Sequence, residues 1–95
     1  MATQDKDLTS GITRVTSLAA LGQRIRSERK SQGLRIDDAA ALCGISVDTL
    51  SRLENGHEGV STLRMLRVLE GLGLTLFLTD TPTLRGDAAR RKDAP

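Results

Sequence analysis

The sequence predicts a small, mostly α domain of four to five helices followed by one C-terminal β-strand. Three observations carry this expectation. Apolar residues recur at helical spacing in short segments. Those segments open near Ser17, Asp37, Ser46 and Ser61 and close at Gly33, Gly44, Gly56 and Gly73. Side-chain caps and left-handed turns bound helices in this way. After the last glycine, "LTLFLTD" alternates Leu74, Leu76 and Leu78 with Thr75, Phe77 and Thr79, which is strand period.

The chain has 95 residues, enough for one small domain and its tails. Residues 1–16 read as a weakly ordered arm, 17–80 as the domain, and 81–95 as a disordered basic tail. A domain this small buries a modest fraction of its surface, and oligomerisation is one remedy. Cys43 is the only cysteine, so no disulfide framework helps. One thiol in an apolar stretch suits a reducing cytoplasm and a core position. No run approaches the ~20 apolar residues of a membrane span. The opening "MATQDKDLTSG" has no apolar stretch after a basic start, so it does not read as a secretory signal. The expected location is the cytoplasm. His57 is the only histidine, in a loop, with no nucleophile–base pair or metal-ligand cluster around it. The sequence therefore does not read as an enzyme, and no cofactor or metal is expected.

The net charge of +2 is uninformative, because residues 17–80 hold eight basic and eight acidic residues. The surplus lies in "LRGDAARRKDAP". Distribution says more: Arg24, Arg26, Arg29 and Lys30 cluster on one segment.

Each element can be justified in turn. "ITRVT" (12–16) alternates apolar and polar residues, a weak strand signal. Ser17 reads as an N-cap. Leu18, Leu21 and Ile25 then recur at i, i+3, i+7, predicting a helix from about Leu18 to Gln32. Asp37 and Asp38 complement the N-terminus of a short second helix. Its alanines let another helix approach closely, Gly44 ends it, and Ile45 is expected to bury at the turn. Ser46 caps a third helix from Val47 to about Asn55, anchored by Leu50 and Leu53. Ser61 or Thr62 caps a fourth, reaching about Leu72. That helix carries Leu63, Met65, Leu66, Val68, Leu69 and Leu72, more apolar residues than one core-facing stripe needs. The excess points to a partner as well as a core. The strand after Gly73 must also satisfy its backbone, against "ITRVT" or against a second copy of itself. From Pro82 the sequence reads as tail.

Two short helices about a glycine turn make a helix-turn-helix candidate. "GLRIDDAAALCGISVDTLSRLENG" resembles the lambda-repressor-like, Xre-type DNA-binding family over about residues 18–72, most strongly at "SRLENG". A fourth helix followed by a strand is similar to the HipB-type antitoxins within it. The resemblance implies a homodimer whose strands pair across the two-fold axis, with Met65, Leu69, Leu72, Leu74, Leu76, Phe77 and Leu78 at the interface. It implies an autoregulating repressor of operator DNA that also binds a HipA-type kinase toxin. A free-standing regulator, or a protein-binding module that has lost DNA binding, are the alternatives. The resemblance also places Glu54 opposite Arg29 as a partly buried ion pair. The chain departs from the family pattern at Arg35 and Ile36, where Thr or Ser and then Gln are usual. Arg35 can supply a phosphate contact; Ile36 cannot make the glutamine's hydrogen bond. Ala39 stands where a core leucine is common.

On this reading the third helix enters the major groove. Ser46, Val47, Asp48, Ser51 and Arg52 face DNA. Arg52 suits guanine or phosphate, the serines suit phosphates or bases, and Val47 suits a thymine methyl. Asp48 either complements the helix dipole or accepts from a cytosine amine. Asn55 and Gly56 can offer backbone N–H groups to phosphate. Arg24, Arg26 and Lys30 reach phosphates or acidic partners, or are simply solvated.

Overall fold

The computed structural model describes residues 11–81; the expected arm before Gly11 and the tail from Pro82 lie outside the described residues. Four helices form among them: α1 (Leu18–Ser31), α2 (Ile36–Cys43), α3 (Val47–Glu54) and α4 (Thr62–Gly71). Three begin on a serine. The Oγ of Ser17 accepts from Ala20 N at 3.0 Å, that of Ser46 from Thr49 N at 3.0 Å, and that of Ser61 from Arg64 N at 3.1 Å. Each cap satisfies a backbone donor that the helix itself leaves open, and is worth ~1 kcal/mol. Helix α2 has Arg35 at this position, with no side-chain cap, and relies on Asp37 and Asp38 in its first turn.

All four helices stop in the same way. At the end of α2, Gly44 adopts φ 73°, a left-handed conformation that a Cβ would oppose. Gly44 N donates to Ala41 O at 3.2 Å, and Ile45 N reaches back to Ala40 O at 3.0 Å. The same reach-back joins Leu34 to Arg29 O (3.1 Å) and Leu74 to Leu69 O (2.7 Å). Leu34, Ile45 and Leu74 then pack against the core, which fixes each exit direction. After α3 the equivalent donor is His57, bonded to Arg52 O at 2.9 Å but left exposed. That connection alone ends without an apolar anchor.

Helix α3 packs on both α1 and α2, and α4 packs on α2. Leu50 and Leu53 of α3 are buried among Ile25, Ala39 and Val68. Full burial of one such leucine contributes ~1.5–3 kcal/mol. Small residues set the spacing. Ala39 and Ala40 are buried on α2, and the space a Cβ would take at Gly22 is filled by the carbonyl oxygens of Leu53 and Glu54. Cys43 lies in the core with Sγ 3.8 Å from Val68 O. Burial pushes its thiol up, away from the reactive thiolate.

Several expectations need correction. Leu18 is 44% exposed; the buried stripe of α1 runs instead through Leu21, Ile25 and Arg29. Leu69 of α4 and Leu72 at its C-cap belong to this chain's own core and have little surface left for a partner. Leu63 (59% exposed) and Leu66 (42%) face outward instead. No β-strand forms among the described residues. Residues 75–81 follow α4 without a ladder, because a single chain places no second strand beside them. "ITRVT" is exposed and forms no strand either; Thr13 Oγ1 accepts from Arg24 Nε at 3.2 Å. No helix among the described residues is long and apolar enough to cross a membrane.

Candidate nucleic-acid interface

Helix α3 is short, capped and two-faced. Leu50, Leu53 and Glu54 turn inward; Val47, Asp48 and Arg52 are exposed, and Ser51 is half-buried. Ser46 stands at the helix entrance. Its Oγ accepts the Thr49 N–H and also donates to Thr49 Oγ1 at 2.9 Å. Asn55 closes the helix, its Nδ2 donating to Ser51 O at 2.8 Å.

The inner face is fixed by Glu54. Its two oxygens accept from Arg29 Nε at 2.6 Å and Arg29 Nη2 at 3.0 Å, while Arg29 Nη1 donates to Leu34 O at 3.0 Å. The side chains are 9% and 4% exposed. This bidentate geometry holds the guanidinium charged, above its usual range. The pair ties the end of α3 to α1 and to the turn before α2. The expected ion pair is therefore present, as scaffold.

The outer face is more balanced in charge than expected. Arg52 Nη1 lies 3.8 Å from Asp48 Oδ2, one turn earlier. Arg35, 76% exposed, is held by Asp37 through Nη2–Oδ2 at 3.1 Å and Nε–Oδ1 at 3.4 Å, with Asp38 Oδ2 at 3.8 Å. The Arg35 hydrogen bond holds the Asp37 carboxyl below its ordinary value. Ile36 packs against the core instead of facing outward.

One cation was missed by the sequence reading. Arg64, in the first turn of α4, joins Arg52, Thr49, Gly59, Val60 and Ser61 around a shallow groove between α3 and α4. Its Nη1 donates to Ser61 Oγ at 3.3 Å, and it has no carboxylate partner among the described residues. A cation in a helix's first turn gains nothing from the helix dipole. That mismatch was the available signal. The groove thus sets the Arg64 and Arg52 side chains beside the first turn of α4. Of the α1 cations, Arg24 is engaged by Glu28 at 3.0 Å and by Thr13, while Arg26 and Lys30 are exposed.

A family model described as a helix-turn-helix domain matches residues 20–81. No curated protein matches the chain. A chain of the solved HipA–HipB–O2–O3 complex superimposes with TM-score 0.69 at 24% identity, over 75% of this chain and all of that one. The HipB–O4 20mer complex gives TM-score 0.69 at 22% identity, again over 75% of this chain and 100% of that chain. These two are likenesses of fold. The restriction-modification controller protein C.AhdI from Aeromonas hydrophila gives TM-score 0.56 at 29% identity, over 61% of this chain and 88% of that one.

Proposed function

The chain belongs to the helix-turn-helix domain family, and on that premise we propose that it is a sequence-specific, DNA-binding transcriptional repressor that works as a homodimer in the cytoplasm. The observation that carries this reading is the two-faced α3. Two leucines and an ion-paired glutamate fix its inner side, and Ser46, Val47, Asp48, Ser51 and Arg52 are left for a groove. A major groove admits one helix, and the N-terminal residues of that helix meet base edges. Arg64, Arg35, Asn55 and the start of α4 supply phosphate contacts around it. The fold likeness to HipB in its operator complex and to a restriction-modification controller supports a regulator.

The finer reading is an antitoxin that holds a HipA-type kinase toxin and represses its own operon. The HipB fold supports it, as do Leu76, Phe77 and Leu78, at 50%, 53% and 90% exposed, which await a covering surface. A second reading, a protein-binding module without DNA binding, draws on the carboxylates of Asp37, Asp38 and Asp48 around α3. A pull-down of the native protein with its own promoter fragment present separates these. Promoter DNA with a kinase supports the antitoxin, and promoter DNA alone a free-standing regulator. Protein without DNA supports the module.

A further inference from the structure

Three arginines border the outer face of α3, and they are not equivalent. Arg64 has no carboxylate partner among the described residues, whereas Arg52 lies 3.8 Å from Asp48 and Arg35 lies 3.1 Å from Asp37. A phosphate that approaches Arg35 or Arg52 therefore also approaches a carboxylate of its own sign. From this geometry we infer that Asp48 is a specificity-determining residue, and that Asp37 lowers affinity for all DNA alike. They withhold Arg35 and Arg52 from the phosphates of arbitrary DNA and release Arg52 fully only where the bases offer Asp48 a donor.

This inference rests on the DNA-binding reading above. Non-specific affinity comes from cations that displace counterions from phosphates. A cation already neutralised by a carboxylate displaces fewer. The reading arginine is different at its own site. When Arg52 turns to guanine O6 and N7, Asp48 loses its partner. Asp48 lies one turn nearer the start of α3, the end that meets base edges. A cytosine N4 amine there donates to the freed carboxylate. Cognate DNA thus satisfies both members of the pair, while other sequences leave Asp48 facing an acceptor. Asp37 stands in the first turn of α2, where, on the proposed docking, it faces backbone phosphates, which offer it no donor. It therefore opposes all sequences alike.

The test compares wild type with Asp48→Asn, Asp37→Asn and Glu70→Gln, the last making the same charge change on the outer side of α4. The probes are a duplex selected by the wild-type protein from a random pool and a shuffled duplex of the same composition, each titrated over a salt series. Asp48→Asn should bind the shuffled duplex at least about threefold more tightly and steepen its log K against log salt slope by about 0.9, one added phosphate contact. Its preference for the selected duplex should fall. Asp37→Asn, which also serves as the second arm if Asp48→Asn melts early, should steepen both slopes equally and leave the preference unchanged. Unchanged slopes for both variants overturn the inference while the DNA-binding reading stands. So does an equal effect of Glu70→Gln, which would make it a matter of net charge. If no protein binds either duplex at any salt, the DNA-binding reading falls and the inference falls with it.

Discussion

Glu54 and Arg29 are the two charged residues buried among the described residues, and each is satisfied almost wholly by the other. Removing either leaves the remaining charge in a dry setting, at ~3–5 kcal/mol. Glu54→Ala should therefore lower the melting midpoint far more than Glu58→Ala, which removes an exposed loop charge worth little. Equal midpoints would deny the pair its scaffold role. On the outer face the expectation concerns recognition. Arg52→Ala should cost ~1–3 kcal/mol of discrimination at one base pair per half-site. Arg64→Ala should weaken binding to all sequences and flatten the salt slope by about one unit. A base-specific loss on removing Arg64 would instead make it a reading residue. The ion pair was legible because "SRLENG" carries a strong family pattern. Arg64 showed only as a cation in a helix's first turn, since the groove it shares with Arg52 exists only once the fold brings α3 and the start of α4 to the same place. Ile36 stood out as a lost hydrogen-bonding residue, whereas the fold uses it as core.

At the scale of elements, caps and stops were the most legible part of the sequence. Ser17, Ser46 and Ser61 all cap, and Gly33, Gly44, Gly56 and Gly73 all lie just past helix ends with positive φ. These signals are local, so spacing suffices to read them. Packing is not local, and there the reading slipped. Periodicity alone did not say which apolar residues of α4 turn inward, and Leu69 and Leu72, which the resemblance set at the interface, lie in this chain's core. Nor does periodicity reveal Gly22, an unremarkable glycine inside a helix. In an open helix, alanine at that position would stabilise by about 1 kcal/mol. Here the Cβ meets the carbonyl oxygens of Leu53 and Glu54, which the Arg29 pair holds in place. The sign should reverse. Gly22→Ala should destabilise, by about 1–3 kcal/mol of overpacking, and loosen the seat of α3. A higher melting midpoint for Gly22→Ala would show that α1 and α3 separate more easily than this contact implies.

At the scale of the whole molecule, one chain leaves its own surface incomplete. Leu63 and Leu66 on α4, and Leu76, Phe77 and Leu78 beyond it, are all large, apolar and at least 42% exposed. The segment from Thr75 has extended-strand spacing and no ladder, so its backbone groups look to water or to another chain. A two-fold axis solves both problems at once, because it brings the same patch against itself. In the proposed homodimer two such segments would pair antiparallel, and the ribbon would cover the outward leucines of both α4 helices. Leu74 does not belong to that ribbon's free face, since it is folded back on the core as the end of α4. The pairing also has a consequence for DNA. Two copies of α3 held by one ribbon can enter successive major grooves only if their spacing is near one turn, ~34 Å. Leu76→Pro removes a ladder donor in the middle of the segment while leaving the core untouched. Light scattering should then report a monomer with a near-native helical signal. Operator affinity should fall as well, because two half-sites are no longer held by one particle. A Leu76→Pro protein that remains dimeric and binds its operator unchanged would remove the ribbon. The exposed face of α4, centred on Leu63 and Leu66, would then be the surface on which the two copies meet.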